Sequence, residues 1–354
     1  MSLTMIGLLL SNTASAGDAA LPAPDASALV QTWVTLADQD ESDIADPGGY
    51  GDPEDDTGVK LRRVRLGLKG GDDTVKYSVR VGMASAYDVV EEAQGHDAGL
   101  GLVDTFVGYA PVKGLWVVGG LQKVPVSREA LMSSGNLTFT DRAVSTHWLT
   151  PGHDLGVVVD GRWKFLRARL GVFNGSGDLS GDDNDGKLFA GRIEGKLGDG
   201  AVYRTGGTVD EFTLAVGVDG WTNNETSIST HGYGADLIVR VEGLTVLAEA
   251  RQVSSEPKDG LLMVPGVFAE TVRQGVMTQV GYSIGAFEPA LRYSILDDDM
   301  DVEDVGDVAE GMAGVTWHGD DGRVRAGTGY AYRMERGGQP VANDTVRMWL
   351  QLKL

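Results

Sequence analysis

The sequence predicts an all-β protein, a closed sixteen-stranded antiparallel β-barrel that crosses a membrane. Three observations carry that prediction. Apolar and polar residues alternate with a period of two along most of the chain. The connections between alternating segments switch between short and long, as in barrels with tight turns at one end and loops at the other. No stretch approaches the roughly 18 apolar residues of a transmembrane helix, so any crossing is made by strands.

At the N-terminus a short apolar run, Met5 to Leu10, precedes Ala14-Ser15-Ala16, the small-x-small pattern of a signal peptidase site. Residues 1–16 are expected to be a signal peptide, residues 17–26 a short periplasmic segment and residues 27–354 the barrel. The alternation then begins. Val64, Leu66 and Leu68 oppose Arg63, Arg65 and Gly67; Val75, Tyr77, Val79, Val81 and Met83 oppose Lys76, Ser78, Arg80 and Gly82. Leu166, Ala168, Leu170 and Val172 oppose Arg167, Arg169 and Gly171; Ala235, Leu237, Val239 and Val241 oppose Asp236, Ile238, Arg240 and Glu242. Strand centres fall near Thr32, Val64, Val79, Phe106, Val118, Val157, Ala168, Arg192, Ala215, Leu237, Ala248, Met277, Leu291, Gly314, Gly327 and Met348.

Short turns are expected at residues 70–73, 111–114, 160–162, 242–243 and 319–322, on the periplasmic side. Long extracellular loops are expected at 37–56, 84–99, 123–153, 174–186, 254–270 and 296–307. The connection from Leu197 to Asp210 is too long for its place among the turns.

Charge is sorted between loops and strands. The net charge is −21, which argues against a nucleic-acid partner. The acids cluster in the long loops, as in Asp182-Asp183-Asn184-Asp185 and Asp297-Asp298-Asp299-Met300-Asp301. The first of these resembles part of a calcium loop but lacks the closing Glu, so no metal site is assigned. The polar face of the strands is rich in Arg instead. In a sixteen-stranded barrel that face lines a water-filled lumen, and Arg80, Arg167, Arg169, Arg240 and Asp104 are placed there by alternation. A cationic lining favours anions, unless the charges pair across the wall and merely stiffen it.

Catalysis finds little support. There is no Cys and no phosphate-cradling loop, and neither Ser145/His147 nor His153/Asp154 has a motif behind it. No enzyme activity and no cofactor are expected. The connection from Lys123 to His153 differs from the other loops. It holds a helix-like run capped by Ser127, and it carries Leu131, Leu137 and Phe139, which a solvated loop does not need. The space open to it is the lumen.

The residues of that loop also carry a resemblance. Gln122-Lys123-Val124-Pro125-Val126-Ser127-Arg128-Glu129, Asn136-Leu137, Phe139, Asp141-Arg142 and Pro151-Gly152-His153-Asp154-Leu155-Gly156 resemble the phosphate-selective porins O and P. Leu61 to Gly70 and Gly171 to Gly177 are similar to the same family. Val126 stands where the family has an aromatic, and Leu354 where it has a Phe. The resemblance implies a trimeric porin of the Gram-negative outer membrane whose third extracellular loop folds inward as a constriction. It adds Arg62, Arg63, Arg65, Arg128 and Arg142 to the pore-lining, anion-binding set. The expected function is passive diffusion of small hydrophilic solutes with a preference for phosphate or polyphosphate. Lipid and lipopolysaccharide are the expected surroundings, and a homotrimer the expected assembly. A general porin, or a structural or adhesin barrel without an open pore, are the alternatives.

Overall fold

The computed structural model describes residues 22–39, 58–84, 100–177, 186–207, 211–258, 270–303, 306–319, 322–337 and 343–354. The expected signal peptide, most of the first two long loops and the acidic run at 182–185 lie outside the described residues. The strands are β1 (Asp25–Gln39), β2 (Gly58–Gly71), β3 (Val75–Ala84), β4 (Leu100–Leu102), β5 (Thr105–Val112), β6 (Leu115–Lys123), β7 (His153–Trp163), β8 (Leu166–Phe173) and β9 (Leu188–Leu197). They continue with β10 (Thr213–Asn224), β11 (Ile228–Val241), β12 (Leu244–Pro257), β13 (Thr271–Tyr282), β14 (Phe287–Asp297), β15 (Val308–His318), β16 (Val324–Glu335) and β17 (Asn343–Lys353). Each runs antiparallel to its neighbours, and β17 pairs back onto β1 from Leu29↔Lys353 to Gln39↔Asn343, which closes the sheet.

Both β4 and β5 pair with β3, so they are two halves of one stave interrupted at Val103–Asp104. The barrel therefore has sixteen staves. Every predicted strand centre lies in a strand, one to each stave.

The connections depart from a regular alternation of turns and loops at three places, one of which, after Leu197, the sequence already marks as too long for a turn. The turn expected at 160–162 comes later, because β7 continues to Trp163 and the chain reverses at Lys164–Phe165. Asp160 has turn chemistry, but Arg167 on the next strand binds it at 2.8 and 2.7 Å and holds it in the ladder. The other two departures are at the two ends of β10. Its turn-side connection spans residues 198–212, whereas its loop-side connection to β11 is only residues 225–227. Elsewhere the turns are tight. At Glu242–Gly243 both residues have positive φ, 47° and 86°, the two-residue hairpin geometry that matches strand twist.

The wall is amphipathic in the expected sense. Leu66, Val79, Val107, Val157, Leu170, Ile193, Val218 and Leu291 point outward, with Leu170 68 % exposed in the isolated chain. Aromatic residues gather at the outward ends of strands beside the turns: Trp163, Phe165, Phe212, Tyr282, Phe287 and Trp317. Such a girdle belongs at a membrane interface. Inward-facing residues include Gln31, Arg192, Asp236, Arg292 and Gln351, all buried. In β2 the register slips opposite Gln31/Thr32, so that Arg62 is an extra residue and both Arg62 and Arg63 point inward.

Candidate functional site

The interior is built around the segment between β6 and β7. Lys123 ends β6; the chain then forms α1 (Arg128–Leu131), a 3₁₀ turn (Ser134–Asn136) and α2 (Val144–Trp148) before β7. Ser127 caps α1 by accepting from Ala130 N at 3.0 Å, and its hydroxyl donates to Glu249 of the wall at 2.6 Å. Apolar loop residues meet apolar wall residues that occupy inward positions. Met132, Leu137 and Ala143 pack with Ala215, Ile238, Leu247 and Met277; Val144 and Leu149 pack with Val253 and Leu296; Val124 and Val126 pack with Val158, Phe173, Leu188 and Ala190. Leu137 and Phe139 of this segment are buried, and Leu131 is half-buried.

The charged groups divide into two sets. On the β9–β12 side they are paired and closed. Arg128 binds Glu194 at 2.9 Å and Asp236 at 2.7 Å. Arg192 binds Asp236 at 2.5 Å, Asp219 at 2.8 Å and Glu194 at 3.2 Å. Arg251 binds Asp219 at 2.8 Å. Arg128 has no exposed surface. Of the other predicted pore residues on this side, Arg167 forks onto Asp160, Arg169 donates to the Tyr203 hydroxyl at 2.5 Å, and Arg240 donates to Thr245 and to the carbonyls of Ala201 and Gly207.

On the β2–β3–β6 side cations outnumber acids. Arg62, Arg65, Arg142 and Asp141 all lie within electrostatic range of Arg63, and Asp141 meets Arg62 at 3.4 Å and Arg63 at 3.7 Å. Arg65, Arg80, Arg142 and Asp104 all lie within electrostatic range of Lys123, and Asp104 feels Arg80, Lys123 and His153. Among the described residues this gathers Arg62, Arg63, Arg65, Arg80, Lys123, Arg142 and Arg347 around Asp104 and Asp141. Arg80 binds Asp104 at 2.5 Å and stays 28 % exposed; Arg65, Lys123 and Arg142 are half-buried. Lys123 and Arg142 also hold the loop, both donating to the carbonyls of Ala130 and Met132. Arg63 donates to Gln31 at 2.8 Å and to Thr140 O at 3.1 Å. Burial alone raises the pKa of Asp141, but Arg62, Arg63 and Arg347 overcome that and hold it well below the usual carboxylate range.

The structure thus gathers Arg62, Arg63, Arg65, Arg80, Arg142 and Asp104 on one side, and Arg128, Arg167 and Arg169 around Tyr203 on the other. Lys123, Asp141 and Tyr203 were absent from the sequence-derived set. Lys123 and Asp141 stand inside the loop motif, which is signal enough to include them; Tyr203 takes its role only from three-dimensional neighbours. The pairs Ser145/His147 and His153/Asp154 are not brought to common chemistry. Ser145 meets Ser294, His153 meets Asp104, and Asp154 accepts from the N–H groups of Leu155 and Gly175.

A closed barrel with an apolar outer wall, a charged interior and a loop packed inside it is a porin-type barrel. The family model for phosphate-selective porin O and P matches residues 38–220, more than half of the chain, and the protein belongs to that family. Its place is the outer membrane of a Gram-negative bacterium. Among solved structures it is similar to the anion-selective porin from Comamonas acidovorans (TM-score 0.58, 12 % identity, 93 % of this chain and 98 % of that one). The outer membrane channel DcaP of Acinetobacter baumannii gives TM-score 0.58 at 11 % identity over 97 % of this chain and 100 % of that one. The trimer form of OmpT from Vibrio cholerae gives TM-score 0.59 at 8 % identity over 94 % and 99 %. No curated protein sequence matches the chain.

Proposed function

We propose that the protein is a passive channel for small hydrophilic solutes with a preference for anions, phosphate being the best single candidate. The observation that carries this reading is the excess of cations on the β2–β3–β6 side, where Arg65, Arg80, Lys123 and Arg142 keep partial exposure. Fixed positive charge beside a low-dielectric wall lowers the cost for an anion of leaving bulk water. The opposite side contributes little net field, because its guanidinium groups are matched by Glu194, Asp219 and Asp236. Arg62, Arg63, Arg65, Arg80, Arg142 and Asp104 are the proposed filter; Arg128, Arg167, Arg169 and Arg240 are proposed to shape the lumen rather than to meet the solute. Membership of the phosphate-selective porin family and the anion selectivity of the Comamonas porin support the same preference.

We further propose a homotrimer embedded in lipid and lipopolysaccharide, in line with the trimer form of the structurally similar OmpT. Planar-bilayer recording in a KCl gradient tests the channel. An anion-selective reversal potential, with chloride current reduced by added phosphate, is expected. A cation-selective potential removes the filter assignment. Anion selectivity without a phosphate effect leaves a general porin.

A further inference from the structure

The long connection between β9 and β10 starts at the turn end, yet residues 198–207 do not stay at the rim. We propose that this segment is a second constriction element, a strut that fixes the inward loop from the turn side and shares with it the setting of the solute size limit. The proposal rests on the channel reading above.

The two segments are joined along their backbones. Thr205 N and Gly206 N both donate to Asn136 O at 3.1 Å. Thr138 N donates to the Thr205 hydroxyl at 3.0 Å, and the Asn136 side chain donates to Tyr203 O at 3.3 Å. A rim turn leaves such groups to water; here they are paired with the loop, as buried backbone groups must be. Thr205 is only 1 % exposed.

Side chains reinforce the joint. Val202 and Tyr203 pack on Met132, Leu137 and Ala143 of the loop together with Ile238, Leu247 and Met277 of the wall. The Tyr203 hydroxyl donates to Glu194 at 2.9 Å while accepting from Arg169, and its ring lies 5.6 Å from the Arg128 guanidinium. The far end is tied to the wall, with Gly207 N donating to Glu288 at 2.8 Å. Gly206 has no space for a side chain: a Cβ there meets Arg325 at 2.7 Å and Leu137 O at 3.1 Å. The strut is thus bonded to the loop on one side and to the barrel on the other. Tyr203 is a positioning residue, acting through Arg128 and Arg169.

The chain has no Cys, so an introduced pair is unambiguous. The double variant Asn136→Cys/Thr205→Cys should form a disulfide in the folded protein, with conductance and exclusion limit unchanged. If both thiols instead react freely with a maleimide in the native barrel, the strut does not touch the loop and the proposal falls. Excising residues 201–206 gives the transport test. Single-channel conductance should rise about two-fold or more as the narrow section widens, and liposome swelling should admit larger sugars. A folded excision variant, verified by its heat-modifiable gel mobility, with unaltered conductance and sugar cut-off overturns the proposal. If the excised chain does not fold, the cross-link decides alone. A wild-type protein that conducts nothing refutes the channel reading instead, and the cross-link still tests the joint.

Discussion

Arg192 reaches Asp236 by lying across Gly217. The two charged residues are on β9 and β11, with β10 between them, and their closest contact is 2.5 Å. Gly217 pairs with Glu194 on one side and Asp236 on the other, and a Cβ at Gly217 meets the Arg192 guanidinium at 2.2 Å. Gly234 plays the same part for Arg251, which crosses β11 to Asp219 of β10. Glycine lanes in the wall let long side chains lie flat and bind across a strand.

Gly217→Ala should therefore be costly, although it adds a single methyl. Displacing the guanidinium from a packed interior is expected to cost about 1–3 kcal/mol. Gly195→Ala is the matched control, since nothing lies within 4 Å of its Cβ position. Urea unfolding midpoints in detergent check this; equal midpoints for the two variants would contradict the lane.

The two charge sets should separate in their phenotypes. Arg65→Ala and Arg142→Ala are each expected to move the reversal potential towards cations while the barrel stays folded. Arg192→Ala is expected to leave selectivity in place and to cost about 3–5 kcal/mol of stability, because it strands buried carboxylates. A selectivity shift from Arg192→Ala as large as that from Arg65→Ala would show that paired charges also filter.

Asp141 makes the loop's anchor resistant to acid. Burial raises its pKa, but Arg62, Arg63 and Arg347 depress it below the ordinary value, which is about 3.9 in an unstructured chain. A depressed carboxylate contributes stability that is present above the ordinary value and is lost only as pH falls through the folded one. Recordings at pH 4 should thus show the same quiet open level as at pH 7. Asp141→Asn should flicker at both; flicker in the wild type alone on passing from pH 7 to pH 4 would refute the assignment.

The outer wall makes a prediction of its own. Leu170 points outward and Arg169, its neighbour, inward. Leu170→Arg should place a charge in hydrocarbon at a cost of about 2–4 kcal/mol near the midplane. The yield of folded barrel in thick bilayers should drop. Folding as efficient as the wild type would mean that this face is not lipid-exposed.

Strand positions were legible because a barrel wall has one apolar and one polar side, and period-two patterning records that directly. The inward loop was legible for a related reason: Leu137 and Phe139 are apolar where water is the default neighbour. The same signal is present in the wall. Ile238, Leu247 and Met277 sit at inward positions and receive the loop. The partner of each arginine was not legible, because contacts such as Arg192–Asp236 depend on a glycine in a third strand. The inward course of residues 198–207 was also hidden. Its composition is that of a turn, and Val202-Tyr203 is too short a run to declare a packing surface.

The seam between first and last strands has a consequence for how the molecule is made. Ala28 and Leu354 exchange two backbone hydrogen bonds, at 3.0 and 2.9 Å, beside the β1–β17 ladder. These partners are among the most distant in the chain, and contacts of large sequence separation form late. Until they form, β1 and β17 each present a row of unsatisfied N–H and C=O groups, a template for adding strands from other molecules. A sheet that closes through this seam loses both adhesive borders in a single step. Any escort that keeps it from aggregating has those borders to cover, and has nothing left to hold once the ring is shut.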